Sequence, residues 1–214
     1  MMRRWIRSGL ACVPVLVAAA ASGMAAPPSG PLKDWPCPQP WVEALTAEAL
    51  YGKALPAPLP QTVDWHADPL VRPVVEFAVA TENSPALGAE KIASLAGSSG
   101  PQKQERLLLA LSGILDLTNT LRHLIYQGIG DQVVRSRLIA DEMAANDKEA
   151  RGLVDDGSNA AMQRKKDLAT AQFWNRRFLG SAEDDAELLC HRLGYSVKKT
   201  QLLVDAIRQQ LDMR

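Results

Sequence analysis

The fold is decided by residues 104–127, QERLLLALSGILDLTNTLRHLIYQ. Within them Leu108, Leu111, Leu115, Thr118, Leu121 and Ile125 recur at spacings of three and four, and Ile129 continues the series. That period places them on one face of an amphipathic α-helix. Gly128 and Gly130 then interrupt, after which Val133, Leu138/Ile139 and Met143 to Leu153 take up the stripe. Either one long helix bends at the two glycines or two helices meet there in a turn. An internal glycine costs only about 1 kcal/mol, and the reading leans to a continuous helix.

Downstream, residues 155–159 (DDGSN) read as a turn. Residues 160–179 read as a helix with Met162, Leu168, Phe173 or Trp174, and Phe178 inward; Gly180 ends it, and Ser181 with Asp184 opens the next. Residues 182–213 supply Leu188/Leu189, Leu193, Val197, Leu202/Leu203, Ala206/Ile207 and Leu211, with Gly194 as a bend or break. Upstream, residues 69–82 form a helix capped by Asp68, and residues 85–95 form another with Leu87, Ile92 and Leu95 inward. No window carries the alternating, β-branched pattern of a strand. The expected fold is all-α: a bundle or hairpin of long antiparallel helices over residues 68–214.

Residues 26–67 differ in kind. Nine prolines between Pro27 and Pro60 exclude regular helix or central strand over most of this stretch. It reads as a proline-rich N-terminal arm that wraps the helical domain and buries Trp35 and Trp41, with one short helical insert at Trp41–Tyr51. Residues 1–25 read as a secretory signal peptide: Arg3, Arg4 and Arg7, then an apolar run, then Gly23-Met24-Ala25. The run is too short for a membrane anchor, and no later segment reaches transmembrane length. The expected location is the periplasm.

The chain of 214 residues has 24 Lys+Arg against 24 Asp+Glu and is 47% hydrophobic. That content excludes a disordered chain. The charge balance argues against nucleic-acid binding, which rests on clustered lysine and arginine. Cleavage removes three arginines, leaving 21 basic residues against 24 acidic, and also removes Cys12. The remaining cysteines, Cys37 and Cys190, pair in an oxidising compartment; two buried free thiols are the alternative. Such a bond pins the arm to the last helix.

The reactive residue types form no familiar constellation. His66, His123 and His191 lack the spacing of a zinc set. There is no Gly-x-Ser-x-Gly elbow, no phosphate-binding loop, no Cys-x-x-Cys and no complete calcium loop. No catalytic residue, metal ligand or cofactor is assigned. The last two predicted helices carry Arg164, Lys165, Lys166, Arg176, Arg177, Arg192, Lys198 and Lys199 among Phe173, Trp174 and Tyr195. They read as a solvated face with i,i+4 pairs, or as a surface for an anionic partner or lipid.

Asp34-Trp35-Pro36-Cys37-Pro38-Gln39 resembles the start of the mature chain in a family of uncharacterised secreted proteobacterial helical proteins that open with Asp-Trp-Pro-Cys. Cys190 in Leu188-Leu189-Cys190 matches the family's C-terminal cysteine, while His191-Arg192 after it departs from the pattern. The resemblance implies export, long helices, a disulfide and a loose association with periplasmic oxidation pathways. Coiled helices without a catalytic set point to a non-enzymatic accessory or adaptor factor that binds another periplasmic protein, with Trp41, Trp65, Trp174, Arg176 and Arg177 as contact residues. The alternative is a small-molecule or metal-binding protein with a site between the arm and the bundle, near Trp65 and His66. A hydrolase using scattered carboxylates is a third possibility.

Overall fold

A computed structural model describes residues 33–60, 64–154 and 158–213. The signal-peptide reading of residues 1–25 and the centre of the 155–159 turn lie outside them. Among the described residues there are five α-helices and no strand: α1 Ala47–Tyr51, α2 Val71–Val79, α3 Pro85–Ser98, α4 Lys103–Gly152 and α5 Asn159–Asp212. The protein is all-α, and α4 packs lengthwise against α5.

Local chemistry sets the boundaries. Asp68 Oδ1 accepts from the amides of Leu70 and Val71 at the start of α2, while Oδ2 pairs with Arg106 of α4. Ser84 caps α3 through the Leu87 amide, with Pro85 next in line. Ser158 caps α5 through the Ala161 amide. Gly100 supplies the positive φ (52°) that turns the chain from α3 into α4.

α4 has 50 residues and runs unbroken through Gly128 and Gly130. α5 has 54 and runs unbroken through Gly180 and Gly194. The expected end at Gly180 and restart at Ser181 is therefore corrected. Gly180 keeps negative φ, and Ala182 and Ala186 beyond it are buried on the side that faces α4. Continued packing outweighs the modest helix penalty of one glycine. At the base, Gly88 rather than Leu87 faces inward. A Cβ on Gly88 would come within 2.6 Å of Leu203 and 3.3 Å of Ala78, so the missing side chain lets α3 close on α5 and α2. Leu87 is exposed.

The two long helices run antiparallel in one register. Contacts pair Thr118 with Thr200, Gly128 with Leu189, Met143 with Gln172 and Glu149 with Arg164, stepping in opposite directions along the chain. At about 1.5 Å per residue each helix spans roughly 75–80 Å. The principal core joins α1, α2 and α3 to the near ends of α4 and α5, through Val71, Val75, Ile92, Leu107, Leu111, Ile114, Leu203 and Ile207. Every buried residue of α4 lies at or before Ile129. Past that point α4 and α5 form a two-helix extension about 35 Å long. Its seam includes the buried amides Gln172 and Asn175 beside Leu168. Gln172 donates to Met143 O and Asp147 Oδ1, both at 2.7 Å.

The arm is held by α4 side chains. Asn119 accepts from the Leu45 amide at 2.8 Å and donates to the Leu45 carbonyl at 3.0 Å. Arg122 and Tyr126 both donate to the Val42 carbonyl. These bonds hold Trp41–Leu45 out of helix, so the insert expected at Trp41–Tyr51 shrinks to Ala47–Tyr51 with Thr46 as its cap. Trp35 and Trp41 are half-buried and pack on Tyr126. Cys37 and Cys190 are bonded, with Cα atoms 5.3 Å apart, and with Ile125, Tyr126, Ile129 and Leu193 they make a second core under the arm.

Candidate functional site

Two features stand apart from the packing. The first lies on the part of α5 that belongs to the two-helix extension. Leu168, Gln172 and Asn175 face α4 there, which turns Phe173, Trp174 and Phe178 outward; they are 52%, 49% and 47% exposed. The expectation that Met162, Phe173 or Trp174, and Phe178 point inward is corrected, since Met162 is exposed as well. The Trp174 ring lies 5.3 Å from Phe173 and 6.2 Å from Phe178. The Arg177 guanidinium sits 6.0 Å from the centres of both Phe173 and Trp174, within cation–π range. Arg176 is exposed beside them, its Nε donating to the Gln172 carbonyl. Arg164 forms a two-pronged pair with Glu149 across the hairpin, which lowers the Glu149 pKa from its ordinary value.

The sequence-predicted contact residues thus divide. Trp174, Arg176 and Arg177 share this surface. Trp41 belongs to the arm and is half-buried against Tyr126. Trp65 is 5% exposed, so its expected place among exposed contact residues is corrected. Its indole N–H donates to Asp116 at 3.1 Å, and its ring lies so close to α4 that a Cβ on Gly113 would fall 2.8 Å from it. Trp65 is an anchor between arm and bundle. His66 stacks on it and bonds Asp64 at the surface.

The second feature is a cleft between the arm and the long helices, with a volume of about 520 Å³. It lies not at Trp65 and His66 but further back along the arm, walled by Pro40, Val42 and Leu45 on one side and by Leu193 and Val197 on the other. Arg122 lines it. This arginine is only 2% exposed, and no carboxylate among the described residues pairs with it. Nη2 donates to the Val42 carbonyl at 2.7 Å and to the Tyr126 hydroxyl at 2.6 Å, while Nε is buried without a partner. Burial pulls the guanidinium pKa below its ordinary value, and Tyr126 offsets part of that. An unpaired buried charge costs several kcal/mol. Gln39 also lines the cleft with a buried, unpartnered Oε1. Nothing in the local sequence marked Arg122. Its exceptional position comes from an arm some 80 residues away folding over it.

Among the described residues no cluster of His, Cys, Asp and Glu could hold a metal ion, and no helix is long and apolar enough to cross a membrane. Comparison with family models, with curated proteins and with solved structures finds no match to this chain.

Proposed function

We propose that the protein is an exported, non-enzymatic accessory factor that binds another protein through the outer face of its two-helix extension. One observation carries the reading: three large aromatic side chains lie together on the side of α5 turned away from α4, with a guanidinium over two of them. Aromatic and arginine side chains are the residue types that dominate binding energy at protein interfaces. Large exposed apolar groups gathered in one place mark interaction surfaces. An antiparallel two-helix extension suits such a role, and its buried amides Gln172 and Asn175 suit a device that fixes register at some cost in stability. Export to the periplasm is part of the proposal. The disulfide between Cys37 and Cys190 supports it, since such bonds persist in oxidising compartments. A role beside a periplasmic oxidation pathway belongs to the same proposal and rests on the Asp-Trp-Pro-Cys resemblance.

The test is affinity capture of the mature, disulfide-bonded chain from its own host, with mass spectrometry of bound proteins. It is repeated with a Phe173→Ser/Trp174→Ser/Phe178→Ser variant. A stoichiometric partner lost in the variant is the expected result. A partner retained by the variant, or none from either chain, contradicts the reading.

A second reading, small-molecule binding between arm and bundle, is favoured by the cleft and its unpaired Arg122.

A further inference from the structure

We propose that the cleft between the arm and the long helices binds a carboxylate carried on an apolar body, with the Arg122 guanidinium as its fixed positive charge. The proposal rests on the small-molecule reading and names its ligand class. Three observations converge. Arg122 lines the cleft, with Nε buried and unpartnered and, among the described residues, no carboxylate to balance its charge. No Asp or Glu is among the residues lining the cleft, whereas Lys198 stands at its exposed rim. Pro40, Val42, Leu45, Leu193 and Val197 give the walls apolar surface, while Gln39 and His191, the latter paired with Glu187, are polar groups beside it. The volume falls in the range of small-molecule sites.

A single buried guanidinium, whose Nη2 already donates to the Val42 carbonyl of the arm and to Tyr126 of α4, matches one carboxylate better than a phosphate dianion, which calls for several converging donors. The apolar walls call for a hydrocarbon body behind that carboxylate. Gln39 adds to the match: exchanging its amide O and N replaces an unpartnered acceptor with a donor at no steric cost. The same chemistry is offered by a free acid and by the C-terminal residue of a peptide.

Isothermal titration calorimetry on the whole disulfide-bonded chain tests this with four probes: octanoate, octanamide, a leucine-ended hexapeptide, and the same peptide amidated. At least one acid is expected to bind about tenfold or more tightly than its amide. Which acid binds tells a free acid from a chain end. Arg122→Gln removes the charge but also a bond to the arm, so two further variants carry the test. Val42→Trp fills the cleft from a position 41% exposed, and Lys198→Glu reverses the rim charge. Each is expected to weaken acid binding several-fold with the circular dichroism spectrum unchanged. An amide that binds as tightly as its acid overturns the ligand class and leaves the cleft a binding site. Acid binding indifferent to Val42→Trp, or no heat from any probe, overturns the ligand class and the small-molecule reading together.

Discussion

At the end of α2 the Lys199 ammonium donates to the carbonyls of Ala80 at 2.5 Å and Asn83 at 2.8 Å, with Val79 at 3.4 Å. A cation there satisfies carbonyls that the helix leaves open and opposes the dipole's negative end. Lys199 is thus a buried structural residue and not part of the basic surface that the sequence pattern suggests. Lys199→Met is expected to cost about 1–3 kcal/mol, measured by urea unfolding, because the carbonyls lose a charged donor. Burial lowers the Lys199 pKa from 10.5, and Glu82 opposes that shift. The folded chain then gives up this proton at lower pH than the unfolded chain does. Between the two pKa values the unfolded state holds more protons, and stability rises with pH. The margin of the wild type over Lys199→Met should accordingly be flat near neutrality and widen as pH approaches 10.5. Gly113 makes a second residue-scale case. Gly113→Ala adds a Cβ 2.8 Å from Trp65 and 3.0 Å from Val75, both held in the core. Overpacking of about 1–3 kcal/mol should exceed the gain of about 1 kcal/mol in helix propensity, so a lowered midpoint is expected in thermal unfolding.

At the scale of elements, Gly180 separates two accounts of the C-terminal third. No atom lies within 4 Å of a Cβ placed there, and the backbone is ordinary helix. Gly180→Ala is therefore expected to stabilise the chain by about 0.5–1 kcal/mol in denaturant unfolding. A helix that ended at Gly180 would gain nothing or lose its cap. Periodicity made α4 legible because leucine and isoleucine dominate its inner face between Leu107 and Ile129, with Thr118, Arg122 and Tyr126 as the polar exceptions. It misplaced the face of α5 for a physical reason. The inner positions of the extension include Gln172 and Asn175, and the large aromatics stand outside. A rule that turns the most apolar residues inward inverts such a helix. The short helix in the arm was overextended for a related reason, since Asn119, Arg122 and Tyr126 claim the backbone of Val42 and Leu45.

For the whole molecule, the Cys37–Cys190 bond joins residues 153 apart in sequence and ties the arm to α5, next in sequence to His191, which lines the cleft. Cys37→Ser/Cys190→Ser should lower stability by on the order of 2–5 kcal/mol, measured by urea unfolding with the slope fitted for each chain, since the unfolded state expands once the cross-link is gone. Trp35 and Trp41, packed on Tyr126, should become more exposed, read as a red shift in emission. The pairing was legible in the sequence once Cys12 is read as part of the signal peptide, which leaves Cys37 and Cys190 as the two cysteines that can pair. The cleft was legible only as a place between arm and bundle, because its distinguishing residue becomes unusual only once the arm has covered it.

The central claim is that the outward face of α5 in the two-helix extension meets a protein partner. The most direct measurement is photo-crosslinking in the native host, with a photoactivatable residue at Trp174 and, as a control, at exposed Glu90 on α3. The account predicts one discrete crosslinked protein from position 174 and none from position 90. No adduct at 174, or the same adducts at both positions, would contradict it.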